Sequence, residues 1–273
     1  MTDVNGKVTW ITGASSGIGA ALAKVFSDAG FDIILSGRNI AALESVADAL
    51  STKTLVLPFE VTDYEGLKSH VDEAWNWLGH VDILINNAGV SQRSLAVDTK
   101  PKVYTDLLNI DLIAPIWLTQ LNLPNMVELG EAHIVAISSI AGRIGAPLRT
   151  AYSAAKHGLI GYMDALRSEV ELPHNIHVTN VLPGAVATNV AHNALTKDGT
   201  KLGKSAENID NGDDPLDCAR AVLEAVQNRE PELIHANSFE LNITNLRHSD
   251  PDAFFKMIGD VGAQTAVGTK KWE

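Results

Sequence analysis

Short apolar runs alternate with helix-length amphipathic stretches over the first two thirds of the chain. The runs at residues 8–12, 32–36, 54–57, 82–86, 133–138 and 177–181 have the length and residue types of buried strands. Between them, residues 18–29, 40–50 and 64–78 repeat apolar positions with helical spacing. Strand and helix alternating in this way predict an α/β fold. The expected architecture is a doubly wound, Rossmann-type parallel sheet with helices on both faces, whose ligands bind outside the carboxyl ends of the strands.

Residues 189–214 break the pattern, being polar, glycine-containing and only weakly periodic. A long irregular insertion in a compact domain reads as a substrate lid, the plain alternative being a solvated loop. Asp214 and Pro215 then supply an N-cap and first-turn proline for a helix over 216–227. Beyond Glu232 the periodicity weakens. Residues 250–273 form a tail of unassigned role, with a helix expected only at 251–258.

The 273 residues, 45% hydrophobic and 20% charged, fit one large domain spanning 1–273. A formal net charge of −12 argues against nucleic acid or an anionic membrane surface as the main partner. A small anionic ligand remains compatible, because local backbone N–H groups can outweigh global charge. Cys218 is the single cysteine, so no intrachain disulfide is possible, and its helical surroundings read as buried packing. The chain shows neither a signal-peptide pattern near its first residue nor about 18 uninterrupted apolar residues, and a cytoplasmic location is the expectation.

The first strand runs directly into Gly13-Ala14-Ser15-Ser16-Gly17-Ile18-Gly19 and then into a helix. Glycines there let the backbone turn tightly against a pyrophosphate, and the helix start offers unpaired N–H donors. Three glycines alone are weak evidence; their place between the first strand and the first helix makes them a strong dinucleotide signal. The second strand ends at Gly37-Arg38, with no acid to hold a ribose 2′-hydroxyl. Arg38 suits a 2′-phosphate, so NADP(H) is the preferred cofactor on this reading and NAD(H) the alternative, Arg38 then being a surface residue at a helix start.

Further motifs follow in order: Asn86-Asn87-Ala88-Gly89, Ser139, Tyr152-Ser153-Ala154-Ala155-Lys156, and Pro183-Gly184 with Thr188. With the glycine turn, they make residues 7 to about 188 resemble the single-domain short-chain dehydrogenase/reductase family. Tyrosine and lysine four apart share one helix face. A phenol is a poor acid–base group near neutrality unless a neighbouring cation favours its phenolate.

The resemblance implies an oxidoreductase that interconverts a carbonyl and an alcohol by hydride transfer. Tyr152 would act as acid and base, Lys156 would support it and hold the nicotinamide ribose, and Ser139 would orient the substrate oxygen. Ser138 would point to the opposite side of the strand and is the weaker choice. By the same resemblance, Gly13, Ser15, Ser16, Gly17, Ile18 and Gly19 hold the cofactor, together with Glu60 and Val61 near adenine and Asn87, Ala88 and Gly89 near its ribose. Pro183, Gly184, Val186 and Thr188 would hold the carboxamide.

One departure stands out. Where the family places a proton-relay asparagine, this chain has Asp111, and Asn109 two residues earlier would face another side of the helix. Either the chain is a catalytic variant or the register is off by part of a turn.

A non-catalytic NADP(H)-binding redox sensor is the rival class, and the presence of Tyr152 and Lys156 weighs against it. A sugar-nucleotide epimerase fits the length and glycine spacing poorly. His174 and His177 read as a turn entering a strand, so no metal site is expected. Partners are a small carbonyl or alcohol substrate of unread identity, with no nucleic acid and no membrane. By resemblance the chain forms a homodimer or homotetramer through helices over 102–126 and 154–171. Leu107, Leu108, Ile113, Ile116 and Trp117 fit either a core face or that interface.

Overall fold

A computed structural model describes residues 6–268. Its first half alternates β1 (Val8–Thr12), α1 (Gly17–Asp28), β2 (Asp32–Ser36), α2 (Ile40–Ala47), β3 (Thr54–Val56), α3 (Leu67–Leu78) and β4 (Ile83–Asn86). A long helix follows in two parts, α4 (Pro101–Leu108) and α5 (Ala114–Leu129), joined without a break by a π-helical turn at Asn109–Ile113. Then come β5 (Ala132–Ile137), α6 (Thr150–His174), β6 (Ile176–Pro183), the short α7 (Glu207–Asp210), α8 (Pro215–Gln227) and β7 (Glu232–His235). Two helices, α9 (Ser238–Ser249) and α10 (Pro251–Ala266), end the described chain.

All seven strands are parallel, in the order β3-β2-β1-β4-β5-β6-β7. Alternation along β1 shows how the sheet is covered. Trp10 joins one buried cluster with residues of α3, α5 and α6, and Ile11 joins the other with residues of α1 and α8. Both faces of the sheet are therefore sealed by helices, as an all-parallel sheet requires. The order reverses between β1 and β4, which opens a crevice at their carboxyl ends.

The architecture agrees with the sequence pattern; the differences lie at boundaries and in the last third. β3 stops at Val56, and residues 64–66 form turns before α3, with Leu67 N–H bonded to the Asp63 carbonyl at 3.1 Å. β7 has no counterpart among the expected strands. It pairs on one side only, and its four half-buried residues include a glutamate and a histidine, so it lacks an apolar signature. α9 is held by a capping box between Asn237 and Glu240 rather than by an apolar stripe. α10 runs to Ala266, well past 258.

The Asp214 side chain accepts from Leu216 N–H at 2.8 Å and caps α8. Cys218 is fully buried in α8, where desolvation and the nearby Asp213 push its thiol up to about 12. Leu107 belongs to the core, whereas Trp117 is about half exposed. His177 has an acidic neighbour, Glu171, 3.1 Å away. No described helix is long and apolar enough to cross a membrane.

His133 on β5 is buried with Nε2 2.8 Å from Thr179 Oγ1. Burial, then the charges of His177, Arg229 and Arg167, lower its pKa to about 3. A depressed folded-state pKa means stability that is complete above the unfolded value near 6.5 and is lost as pH falls towards 3. Urea unfolding should show about 2 kcal/mol of stability lost through this group between pH 6.5 and 5. His133→Leu should flatten that slope; an unchanged slope would count against the assignment.

Candidate active site

The crevice is built around one clasp. Thr12 Oγ1, at the end of β1, accepts from the N–H groups of Asn87 and Ala88 at 3.0 and 3.1 Å. Asn87 Nδ2 returns the contact by donating to the Thr12 carbonyl at 2.8 Å. Two further bonds tie the frame: Asn86 Nδ2 donates to Thr119 Oγ1 at 3.0 Å, and Ala14 N–H donates to the Ser36 carbonyl at 3.0 Å.

Glycine is obligatory where this frame is tightest. Gly13 has φ +66°, and a Cβ on Gly19 would collide with the Gly13 carbonyl oxygen and stand 2.6 Å from Asn87 Nδ2. Ser16, extended before α1, makes no side-chain cap, and the first turn carries no acid. The amino end of α1 is thus left with unpaired donors at the crevice.

A groove of about 620 Å³ runs along these strand ends. Its middle is lined by Gly13, Ser15, Ser16, Gly17, Ile18, Gly19, Asn87, Ala88 and Gly89. Towards β2 and β3 it meets Arg38, Glu60 and Val61. Towards β5 and β6 it meets Ser139, Tyr152, Lys156, Pro183, Gly184, Val186 and Thr188. Residues scattered over 13–188 in sequence therefore share one continuous surface.

Tyr152 and Lys156 lie on α6 with the lysine Nζ 5.7 Å from the centre of the tyrosine ring. Lys156 is buried, and its Nζ donates to the Ile137 carbonyl at 3.0 Å, which fixes the ammonium at the end of β5. Ser139 follows β5; its Oγ accepts from Ala141 N–H at 3.1 Å and lies 3.4 Å from the Pro183 carbonyl. Ser138, just past the end of β5, is also among the residues bordering the groove. Its hydroxyl donates to the Lys156 carbonyl at 3.1 Å.

Asp111 behaves differently. It is fully buried in the π-helical turn and does not line the groove, whereas Asn109 and Ile110 do. Asn109 and Asp111 thus face different surroundings across the widened turn. Asp111 Oδ1 accepts from Val90 N–H at 2.8 Å, while Oδ2 is buried with no hydrogen-bond partner. A Cβ on Gly89 would stand 2.8 Å from Asp111 Oδ1 and 3.4 Å from Lys156 Nζ, so glycine lets both groups close on the same backbone. Burial raises the Asp111 pKa to about 6, against the opposing pull of Lys156 and the Val90 N–H. Asp111 meets the groove through its neighbours Gly89 and Lys156 rather than along the lining itself.

Two site features escaped the sequence reading. Arg38 forms an ion pair with Glu60 at 3.2 Å across the groove end. Glu240, from α9, packs against Gly184 and accepts from Ala185 N–H at 2.9 Å, which secures the turn after β6. The Asn237-x-x-Glu240 capping signature was the available clue.

A family model described as short chain dehydrogenase matches residues 7–199. Dehydrogenase/reductase SDR family member 7B from Bos taurus is 37% identical over 93% of this chain and 81% of its own length. A Drosophila melanogaster protein named Dehydrogenase/reductase SDR family protein 7-like is 36% identical over 97% of this chain and 83% of its own. Among solved structures, a short-chain dehydrogenase from Streptomyces avermitilis superposes with TM-score 0.82 at 29% identity, covering 97% of this chain and all of that one. A Burkholderia phymatum short-chain dehydrogenase/reductase in complex with NAD matches at TM-score 0.82 and 22% identity over 93% of this chain and 96% of its own, a likeness of fold. The chain belongs to the short-chain dehydrogenase/reductase family and is an oxidoreductase of that family.

A raised carboxyl pKa makes Asp111's contribution complete below the unfolded value of 3.8 and lost as pH rises through about 6. At pH 7.5 its ionisation should cost the fold up to about 3 kcal/mol. Asp111→Asn keeps an acceptor for Val90 and removes the titration. Its stability relative to wild type should rise between pH 4.5 and 7.5; a constant difference across that range would count against a buried, titrating Asp111.

Proposed function

We propose that the protein interconverts a small carbonyl compound and its alcohol with a nicotinamide dinucleotide, using Tyr152 as proton donor and acceptor. The observation that carries this reading is the meeting of Tyr152, the buried ammonium of Lys156 and Ser139 at one end of a glycine-lined groove. The groove fits a dinucleotide on its own terms. The uncapped start of α1 suits a pyrophosphate, and the side-chain-free turn at Gly13, Gly17 and Gly19 lets it approach the backbone. Pro183, Gly184, Val186 and Thr188 would hold its carboxamide end, and the nicotinamide supplies or takes up the hydride when bound.

This chain's residues manage the proton and the geometry. Ser139 Oγ, oriented by Ala141 N–H, stands ready to donate to the substrate oxygen, and Tyr152 Oη passes its proton to that oxygen in reduction. Lys156, pinned at Ile137, keeps a positive charge beside the phenol. Asp111 holds Val90 and, through Gly89, the loop against which Lys156 rests.

Residues 189–214 serve as the lid. Leu195 pairs with Gln92 on one side and Lys201 on the other, and Asn189, Val190, Asn193 and Leu195 border the groove. Consumption of NADPH and NADH against a broad panel of ketones and aldehydes tests the reading. Wild-type turnover should fall at least about 10³-fold in Tyr152→Phe with cofactor affinity retained, since acid–base catalysis contributes on that scale. A Tyr152→Phe enzyme of undiminished rate would sink it.

NADP(H) is the cofactor this site favours. Arg38 is two-thirds exposed, so its ion pair with Glu60 is worth under about 1 kcal/mol and does not hold it against a phosphate. At Gly37 a Cβ would meet Leu43 and Ser15 only at ordinary contact distances, 3.6 and 3.7 Å, so the site accepts a larger residue. Gly37→Asp should move the ratio of NADPH to NADH affinity at least about 10-fold towards NADH. A wild-type enzyme that binds NADH as tightly as NADPH would overturn the preference.

A further inference from the structure

The chain has eight arginines, all within the described residues. Six of them have a carboxylate or aromatic partner, as Arg38 has Glu60, Arg229 has Glu131 and Arg247 has the ring of Phe255. Arg93 and Arg149 do not. Among the described residues neither guanidinium makes an ion pair or a hydrogen bond, although both are partly buried.

These two arginines are neighbours, and both lie beside Tyr152. The segment after Gly89 is laced to the start of α6: Ser94 N–H donates to the Leu148 carbonyl at 3.2 Å, and Ala151 N–H donates to Gln92 Oε1 at 2.8 Å. Gln92 is fully buried and its Nε2 donates to Ser94 Oγ at 3.1 Å, so the lacing is rigid. Leu148, immediately before Arg149, adopts φ +66°, a conformation a branched side chain avoids unless its surroundings impose it. Arg93 N–H also donates to the carbonyl of Leu195 in the lid, at 2.9 Å.

Two partly desolvated cations held together repel. Burial first, then Arg149, lowers the Arg93 pKa to about 10, and burial lowers that of Arg149 as well. The nearby carboxylate relieves them only in part. Glu240 favours the Arg149 charge at a distance, but its Oε1 accepts from Ala185 N–H and its Oε2 from Asn237 N–H, and among the described residues it makes no ion pair. Like charges held together without a paired counter-ion suit a negative group from outside. Guanidinium pairs match the oxygens of carboxylates and phosphates.

Resting on the oxidoreductase reading above, we infer that Arg93 and Arg149 bind an oxyanion on the substrate, so that the natural substrate is a carbonyl compound or alcohol bearing a phosphate or a carboxylate. Neither arginine lines the groove itself, so the anionic group lies beyond the reacting carbon, past Tyr152 on the lid side. Lys201, a lid residue that borders the groove, adds a third cation near the entrance.

Matched ketone pairs test this: 5-oxohexyl phosphate against 5-oxohexanol, and 5-oxohexanoate against its methyl ester. One anionic member should show at least 10-fold higher kcat/KM than its neutral mate, expressed mainly in KM, and which pair shows it separates phosphate from carboxylate. Arg93→Gln and Arg149→Gln should bring that ratio towards one, with Arg93→Lys and Arg149→Lys recovering part of it. Equal handling of both members, or variants that lower kcat for both alike, would overturn the anion site. Calorimetric titration of cofactor-saturated Tyr152→Phe with each anionic ketone reads the same site without turnover. Binding there that the arginine variants lose, with a wild type inert on every ketone, would keep the anion site and refute the carbonyl–alcohol reaction proposed above.

Discussion

The bonds between Thr12 and the Asn87–Ala88 backbone are the constraint on which the site depends. They tie the ends of two neighbouring parallel strands at the point where the strand order reverses. The glycine turn can exist only in the form that clears this clasp, which is why Gly19 admits no side chain. α1 then starts where its free donors border the groove, and the segment after Asn87 is aimed at Lys156. A local pair of turns thereby sets both the dinucleotide end and the chemical end of one cleft.

Much of this was legible in the residues. The glycine turn, the asparagine pair and the tyrosine–lysine pair are local motifs whose spacing directly encodes backbone shape, and the structure brings them to one groove. The sealed faces of the sheet followed from apolar runs of strand length. Features that depend on partners distant in sequence were not legible. β7 is a strand only because β6 offers an edge, and Glu240 reaches Ala185 across 55 positions. The π-helical turn at Asn109–Ile113 was not legible either, since no helical period announces one extra residue in a turn.

The electrostatics of the molecule divide sharply between surface and site. The chain carries a net charge of −12, yet Arg93, Arg149 and Lys156 gather around Tyr152. Asp111, a fully buried acid beside Lys156, ionises late because its own burial raises its pKa to about 6. The buried neutral pairs Asn86–Thr119 and His133–Thr179 satisfy one another within the framework.

The grip of Glu240 on the turn after β6 has a consequence for how the protein is made. The groove's walls begin at Gly13, but the turn carrying Gly184 and Val186 is tied down by Asp213, His235 and Glu240, all later in the chain. On a ribosome releasing the chain from its amino end, the glycine turn emerges well before the residues that tie down the opposite wall. A nascent chain therefore carries a half-built cleft until Glu240 has emerged. Its closure, and with it any protection that a bound dinucleotide lends the fold, follows that point.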